Sequence, residues 1–391
     1  MNKIITHPFI IFFIVWSTVI ALYSGKWSNI LIFNPEEYIS FYIIYLITPF
    51  LFGSIVGTQA GLLKTKNKKL TPPPKKSITT QTISNKKIKI LLTTLIIGST
   101  FEAITLQGVP LTWAITGDSR GYADYGYSGL HGILNSINLY LLMVYFIKYI
   151  EEKKDLNKII FLFIWMLCMF SRFLVMVSIV QLFFVYLYKT NNLKVITFVK
   201  LTMAAITISF IFGTLGNIRS FNEGTSNSFM ELAEINENYP AWIPNEFTWS
   251  YMYLTTPFNN LLNIANTSHI NYSLTNTLSG LVPNVLKKFI FAESDLATDI
   301  LVHESFNMST GYAPIVNDLG THGIIIFNIL LGLISSYKWC RIKNNRDCME
   351  YAIIAQSVFY LIFFNPLLSL PIIFQFLLIW YSKKHPAKNN N

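Results

Sequence analysis

Lys64 to Lys89 reads KTKNKKLTPPPKKSITTQTISNKKIK, nine lysines and no acidic residue set between hydrophobic runs. Short loops dense in Lys and Arg stay on the cytoplasmic side of a membrane, so this stretch anchors the topology and every other run is counted outward from it. Runs over Pro8 to Tyr23, Tyr38 to Leu63, Ile90 to Gln107, Leu130 to Ile150, Val195 to Leu215 and Tyr312 to Tyr337 approach or exceed the roughly 20 apolar residues that span a bilayer. With no water to pair their backbone groups, such runs must be helical. Composition agrees: of 391 residues 52% are hydrophobic and 13% charged, with a mean hydropathy of +0.44. That excludes a soluble domain. The first run is followed by no small-residue cleavage site and leads directly into further spans, so it reads as a helix and not as a signal peptide.

Two runs, Ile159 to Tyr188 and Tyr351 to Tyr381, are long enough for one tilted helix or a tight pair. Read as pairs, they put the basic segments at Lys189 to Lys200, Lys338 to Arg346 and Lys383 to Lys388 on the side of Lys64 to Lys89. Ser171-Arg172 and Asn365-Pro366 mark the turns. An arginine at the centre of a single span would cost about 2.5 to 3.5 kcal/mol, whereas at a hairpin tip it reaches water. The chain is therefore expected to be an all-α integral membrane protein, residues 1–391 forming one polytopic domain. It should have about ten transmembrane segments, two short hairpin pairs among them, and both termini cytoplasmic.

This count leaves residues 64–89 as a basic cytoplasmic loop and two stretches on the other side, Val109 to Ser128 and a large periplasmic loop, 216–311. The large loop carries nine acidic residues against three basic. Glu231, Glu234 and Glu237 fall on one face of a short helix expected over Ser228 to Asn238, and Leu278 to Phe291 suits a helix at the membrane interface. Trp242, Trp249, Tyr239, Tyr251 and Tyr253 cluster in one stretch, as either a platform for sugar rings or an aromatic belt. The +10 net charge sits in short loops beside spans, where orientation and anionic lipid account for it without nucleic acid. Cys168, Cys340 and Cys348 have no metal-ligand or disulfide spacing, and no Gly-rich nucleotide loop or nucleophile elbow occurs. No metal or cofactor is expected.

Phe101-Glu102-Ala103-Ile104-Thr105-Leu106-Gln107-Gly108-Val109-Pro110-Leu111 resembles the turn "Glu, then Gly-[Val/Ile]-Pro-Leu" of Wzy-type oligosaccharide repeat-unit polymerases, the O-antigen polymerases. In the family's order follow Tyr125-Gly126-Tyr127-Ser128-Gly129-Leu130-His131, Ser171-Arg172, Gly216-Asn217-Ile218-Arg219, Tyr253 to Asn260 with Pro257, and Tyr312 to Gly323 with Asn317-Asp318-Leu319-Gly320. The resemblance covers residues 90 to 335. It implies a glycosyltransferase of the bacterial inner membrane that moves a growing glycan from undecaprenyl diphosphate to a new lipid-linked repeat unit at the periplasmic face, together with a chain-length regulator as partner. The O-antigen ligases share that donor, and His303 to Gly320 is loosely similar to their late loop. A lipid-linked oligosaccharide flippase is a further alternative, opposed by the absence of an internal repeat. An acyltransferase lacks its early intramembrane His, and a bare scaffold fits poorly with the ionisable outer face.

Under that resemblance the expected roles follow from chemistry. Arg172, Arg219 and Arg120 are the arginines on the outer side, and the guanidinium fork suits a diphosphate. His303 and Glu304 are candidate bases, with Asp318, an ionisable group inside a span, as the third catalytic candidate. Trp249, Tyr253, Trp242 and Glu102 are candidate glycan contacts, Glu102 lining a cavity that His131 also faces or else pairing with an arginine.

Overall fold

Ile-, Leu- and Phe-rich runs that can pair their backbone only with themselves fold as helices, and the structure, a computed structural model, is helical throughout its regular elements among the described residues. These are 2–63, 83–190, 195–220, 226–267, 270, 272–291 and 301–383. Most of the basic loop, 64–82, lies outside them. In chain order come α1 (Pro8–Ser24), α2 (Pro35–Leu63), α3 (Asn85–Thr105), α4 (Pro110–Thr116), α5 (Leu130–Glu152), α6 (Leu156–Cys168), α7 (Arg172–Lys189) and α8 (Val195–Ser220). Then follow α9 (Ser226–Leu232), α10 (Phe247–Thr267), α11 (Thr275–Ser279), α12 (Asn284–Ile290), α13 (Ala313–Cys340), α14 (Asn345–Tyr360) and α15 (Leu370–Tyr381). Five stretches among the described residues, α2, Asn85–Thr116, α5, α7 and α13, are long and apolar enough to cross a membrane, with α1, α6 and α15 as shorter apolar helices. The chain is a helical membrane protein.

Polar contacts sort the helix ends onto two faces. At one end of the bundle Lys189 pairs with Glu151 (2.5 Å) and bonds Asn345, joining the ends of α7 and α5 to the start of α14. Lys338 at the end of α13 pairs with Glu350 (2.7 Å), and Trp339 Nε1 donates to Thr6 Oγ1 just before α1. Lys87 Nζ at the start of α3 donates to Tyr381 O at the end of α15. Because α14 begins and α15 ends at this basic end, residues 345–381 turn back on themselves. The same holds for α6 and α7, which break at Met169 to Ser171, where Phe170 has φ +50°. The two tips meet at the opposite end, Phe173 against Phe364 with ring centroids 5.0 Å apart.

The tightest helix pair is α2 with α13. Gly53, Gly57 and Gly61 recur every fourth residue and make a strip without side chains along α2. A Cβ on Gly53 would lie 2.1 Å from Ile329 O, and one on Gly57 would lie 2.2 Å from Leu333 O. From the other side, a Cβ on Gly332 would lie 2.4 Å from Phe50 O. Small residues let backbones approach where lipid offers no hydrophobic drive, and the Ser54 to Ser336 hydroxyl bond (2.7 Å) adds to the contact. Higher up the same pair, α2 contains a π-helical turn, Tyr42–Ile47. Asn328 of α13 donates to the Tyr45 carbonyl there (2.9 Å) and accepts from Tyr312 OH (2.6 Å). Asn328→Leu should leave both groups buried and unpaired, at about 1 to 3 kcal/mol each. A lower unfolding temperature in detergent would register that loss.

The stretch 216–311 contains a largely buried helix, α10, packed on α1, α8 and α13. Its Asn259 Nδ2 donates to Ile30 O, and its Asn260 Nδ2 donates to both Phe306 O and Met308 O, which fixes the loops around it. One expectation changes: the glutamate face over Ser228 to Asn238 does not form. The helix ends at Leu232, Glu234 has φ +48°, and Phe229 and Ala233 are buried. The apolar side of that segment serves the core, so the three glutamates never share a helical face. The interfacial segment does contain a helix, α12, with Leu286, Phe289 and Ile290 exposed.

A carboxylate and imidazole pair at the end of α3

Glu102 sits one turn from the end of α3 and is 1% exposed. A buried carboxylate needs partners, and it has two: Oε1 accepts the Tyr127 N–H (3.1 Å) and Oε2 meets His131 Nδ1 (2.9 Å). Gly126 makes the approach possible. Its φ of +95° turns the chain, and a Cβ there would lie 2.4 Å from His131 Cγ. With Nδ1–H donated to the carboxylate, the neutral ring carries its lone pair on Nε2, which has no protein partner among the described residues. The His131 side chain remains one-quarter exposed while Glu102 is sealed behind it.

The walls come from the segment 106–125. After α3 the chain turns through Gln107 and Gly108, both at positive φ, leaving carbonyls to be capped. Arg120 Nη1 takes Leu106 O (2.9 Å) and Trp113 Nε1 takes Gln107 O (3.4 Å). Arg120 also forks onto Asp118 (2.6 Å) and lies 4.2 Å above the Trp113 ring. Tyr125 packs its edge on Trp113 and on His131. Its hydroxyl is buried without a partner among the described residues, and burial pushes the phenol up. Met169, at the α6–α7 tip, belongs to the same buried cluster as Trp113 and Tyr125. That brings Arg172, three residues on and exposed at the start of α7, to this part of the molecule.

Arg120 is therefore engaged three ways, and its guanidinium holds the Asp118 carboxyl below the usual range. That ion pair adds stability above the ordinary carboxylate pKa, and the contribution is lost as the pH falls through the depressed value. Arg120→Ala should release the 106–125 turn without unfolding the bundle. Faster protease cleavage within 117–124, at an unchanged unfolding temperature, would be the signature.

The other candidates lie elsewhere. Asp318 is fully buried on α13 just before Gly320, where φ is +64° and the helix is interrupted. Its carboxylate accepts from Ser273 Oγ, Asn276 N, Asn276 Nδ2 and Thr277 N at 2.7 to 3.2 Å, tying α11 to the break with no arginine in the set. His303 Nδ1 accepts the Ser305 N–H (3.2 Å), so a neutral ring carries its proton on Nε2, the reverse of His131. Glu304 is exposed. Trp249 is 7% exposed, stacked on Phe229 at 3.7 Å, with Nε1 donating to Asn217 Oδ1 (2.6 Å), so its face is covered. With Tyr253 it lines a cavity of about 230 Å³ beside Ser305 to Met308. Trp242 is 83% exposed. Arg219 lies in the last turn of α8, and its side chain falls outside the described residues.

The fold and this site together define a helical membrane protein with a carboxylate-oriented imidazole at one end of the bundle. Comparison with protein-family models, with curated proteins and with solved structures finds no match.

Proposed function

We propose that this chain is a glycosyltransferase of the O-antigen polymerase type, multi-pass in the bacterial inner membrane with both termini cytoplasmic and about ten membrane segments. It would transfer a glycan from undecaprenyl diphosphate to a new lipid-linked repeat unit at the periplasmic face, with a chain-length regulator as partner. One observation carries the reading: Glu102 engages His131 through Nδ1 and leaves Nε2 of a partly exposed ring without a protein partner among the described residues, at the end of the bundle opposite the lysine-rich helix ends. The motif resemblance to polymerases falls on these same residues.

The chemistry needs little more. The acceptor hydroxyl attacks the anomeric carbon, its proton passes to His131 Nε2, and the bond from that carbon to the diphosphate oxygen breaks as the new glycosidic bond forms. Glu102 stabilises the imidazolium that results. Arg172 is the exposed guanidinium of the neighbouring tip, suited to the departing diphosphate. Arg120 holds the turn that carries Trp113 and Tyr125. His303, Glu304 and Asp318 take no part in the transfer on this reading.

Deleting the gene and restoring it tests the proposal on a gel of surface lipopolysaccharide. A single repeat unit on core, converted back to a ladder by the restored gene, is expected. Polymer retained on the lipid carrier and absent from core would mean a ligase, and an unaltered ladder would end the reading.

A further inference from the structure

Three separate segments close around the cavity of about 230 Å³: α9 through Phe229, α10 through Trp249, Tyr253 and Thr256, and the loop before α13 through Ser305 to Met308. Its level in the bundle follows from α8. That helix starts just after Lys189, at the basic end, and runs 26 residues, or about 39 Å, toward the opposite end. There Asn217 Oδ1 accepts Trp249 Nε1 (2.6 Å). The cavity therefore lies at the same end as Glu102 and His131 but on other helices: α10 packs on α1, α8 and α13, whereas the pair is carried by α3 and α5.

The walls are held in place by the protein itself. Asn260, buried on α10, donates from Nδ2 to Phe306 O and Met308 O (both 2.8 Å) and accepts the Val302 N–H at Oδ1 (3.1 Å), so one side chain fixes the backbone of the loop wall. Phe229 and Trp249, stacked at 3.7 Å, close one side. What is left for an occupant is mixed in character. Tyr253 is a half-buried ring, while the Ser305 hydroxyl and the Asn307 amide are exposed and have no hydrogen-bond partner among the described residues. None of the lining residues is charged. The volume is below the roughly 300 to 1,000 Å³ of sites for drug-sized ligands, so it takes one ring and not an oligomer. We propose that this cavity binds a single uncharged pyranose ring of a glycan, with Tyr253 against its C–H face and Asn307 and Ser305 on its hydroxyls. An aromatic ring offers apolar area with a polar tip, and an amide and a hydroxyl supply both donors and acceptors. A hydrocarbon chain would use neither polar group, and a phosphate or carboxylate would find no cation. The inference adds a sugar subsite to the proposed transferase and does not depend on His131 as its base.

Saturation-transfer NMR tests this on the full-length protein in bilayer discs of phosphatidylethanolamine and phosphatidylglycerol, where no detergent sugar competes. The probes are the methyl glycosides of glucose, galactose, mannose, N-acetylglucosamine and N-acetylgalactosamine. Transfer to the ring protons of at least one glycoside is expected, with affinity about tenfold lower in Asn307→Leu for loss of the amide's bonds. Asn307 and Ser305 are exposed, so Asn307→Leu and the second variant, Ser305→Leu, should both fold. Absence of transfer to every glycoside, or binding that both variants leave unchanged, would overturn the proposal. The readout is binding alone, so a negative result leaves the lipopolysaccharide ladder to decide the transferase reading, and an unaltered ladder leaves the sugar pocket standing.

Discussion

Replacing His131 with alanine is expected to reduce glycan polymerisation by roughly 10²- to 10⁴-fold, the range that a positioned general base contributes. Glu102→Gln should approach the same loss for a different reason. The amide can donate an N–H to Nδ1, which then moves the ring proton to Nε2 and removes the lone pair that would accept the hydroxyl proton. Both variants keep the Gly126 turn and the Tyr127 N–H, so the protein should still insert and fold. The contrast is His303→Ala, where full polymer length is expected because its Nδ1 serves only a local turn. The measurement is the ladder on a lipopolysaccharide gel, normalised to the amount of protein in the membrane. A wild-type ladder from His131→Ala cells would remove the imidazole from the mechanism, and loss of the ladder in His303→Ala cells would move the base to the large loop.

The second large effect concerns folding. Gly57→Leu places a branched side chain where even a methyl would sit 2.2 Å from Leu333 O. Backbone cannot move aside as a side chain can, so α2 and α13 must separate, losing contact along both helices. Overpacking costs about 1 to 3 kcal/mol, and more where backbone is the obstacle. Gly98→Ala is the control, since its methyl would meet only the end of the Leu134 side chain. Cys340 reports the outcome, because it packs on Gly61 and its Sγ donates to Thr58 O. Thiol labelling of Cys340 at a lower temperature in Gly57→Leu than in the wild type is expected. An unchanged labelling curve would mean that the glycine strip does not hold the pair.

Hydropathy and the distribution of lysines suffice to recognise a helical membrane protein, and the two breaks, between Cys168 and Arg172 and between Tyr360 and Leu370, contain the turn residues Ser171 and Asn365 that stand in the sequence. Glu102 and His131 were both legible as unusual residues, an acid within a span and a histidine at a helix start. Their pairing was not legible, because the two lie 29 positions apart and meet only through the Gly126 turn. Asp318 shows the same limit from the other direction. An isolated carboxylate in an apolar run suggests chemistry, yet its four donors come from Ser273 to Thr277, at the start of α11 and more than 40 positions earlier. Trp249 was legible as an aromatic but not as a covered one, since the ring that covers it, Phe229, lies in a separate segment. The Gly53, Gly57, Gly61 strip stands in the sequence as a four-residue spacing in an apolar run, the pattern of a close helix contact, but the spacing alone does not name α13 as its partner.

That strip also bears on how the protein is made. Ser54 and Ser336, which bond across the α2–α13 contact, are 282 positions apart. At roughly 5 to 20 residues per second, α2 waits about 15 to 60 s in the bilayer before its partner leaves the ribosome. During that interval its glycine groove and Ser54 hydroxyl face lipid, the insertion machinery or a temporary neighbour. Nascent chains halted before α13 should therefore be the substrates on which membrane quality control acts.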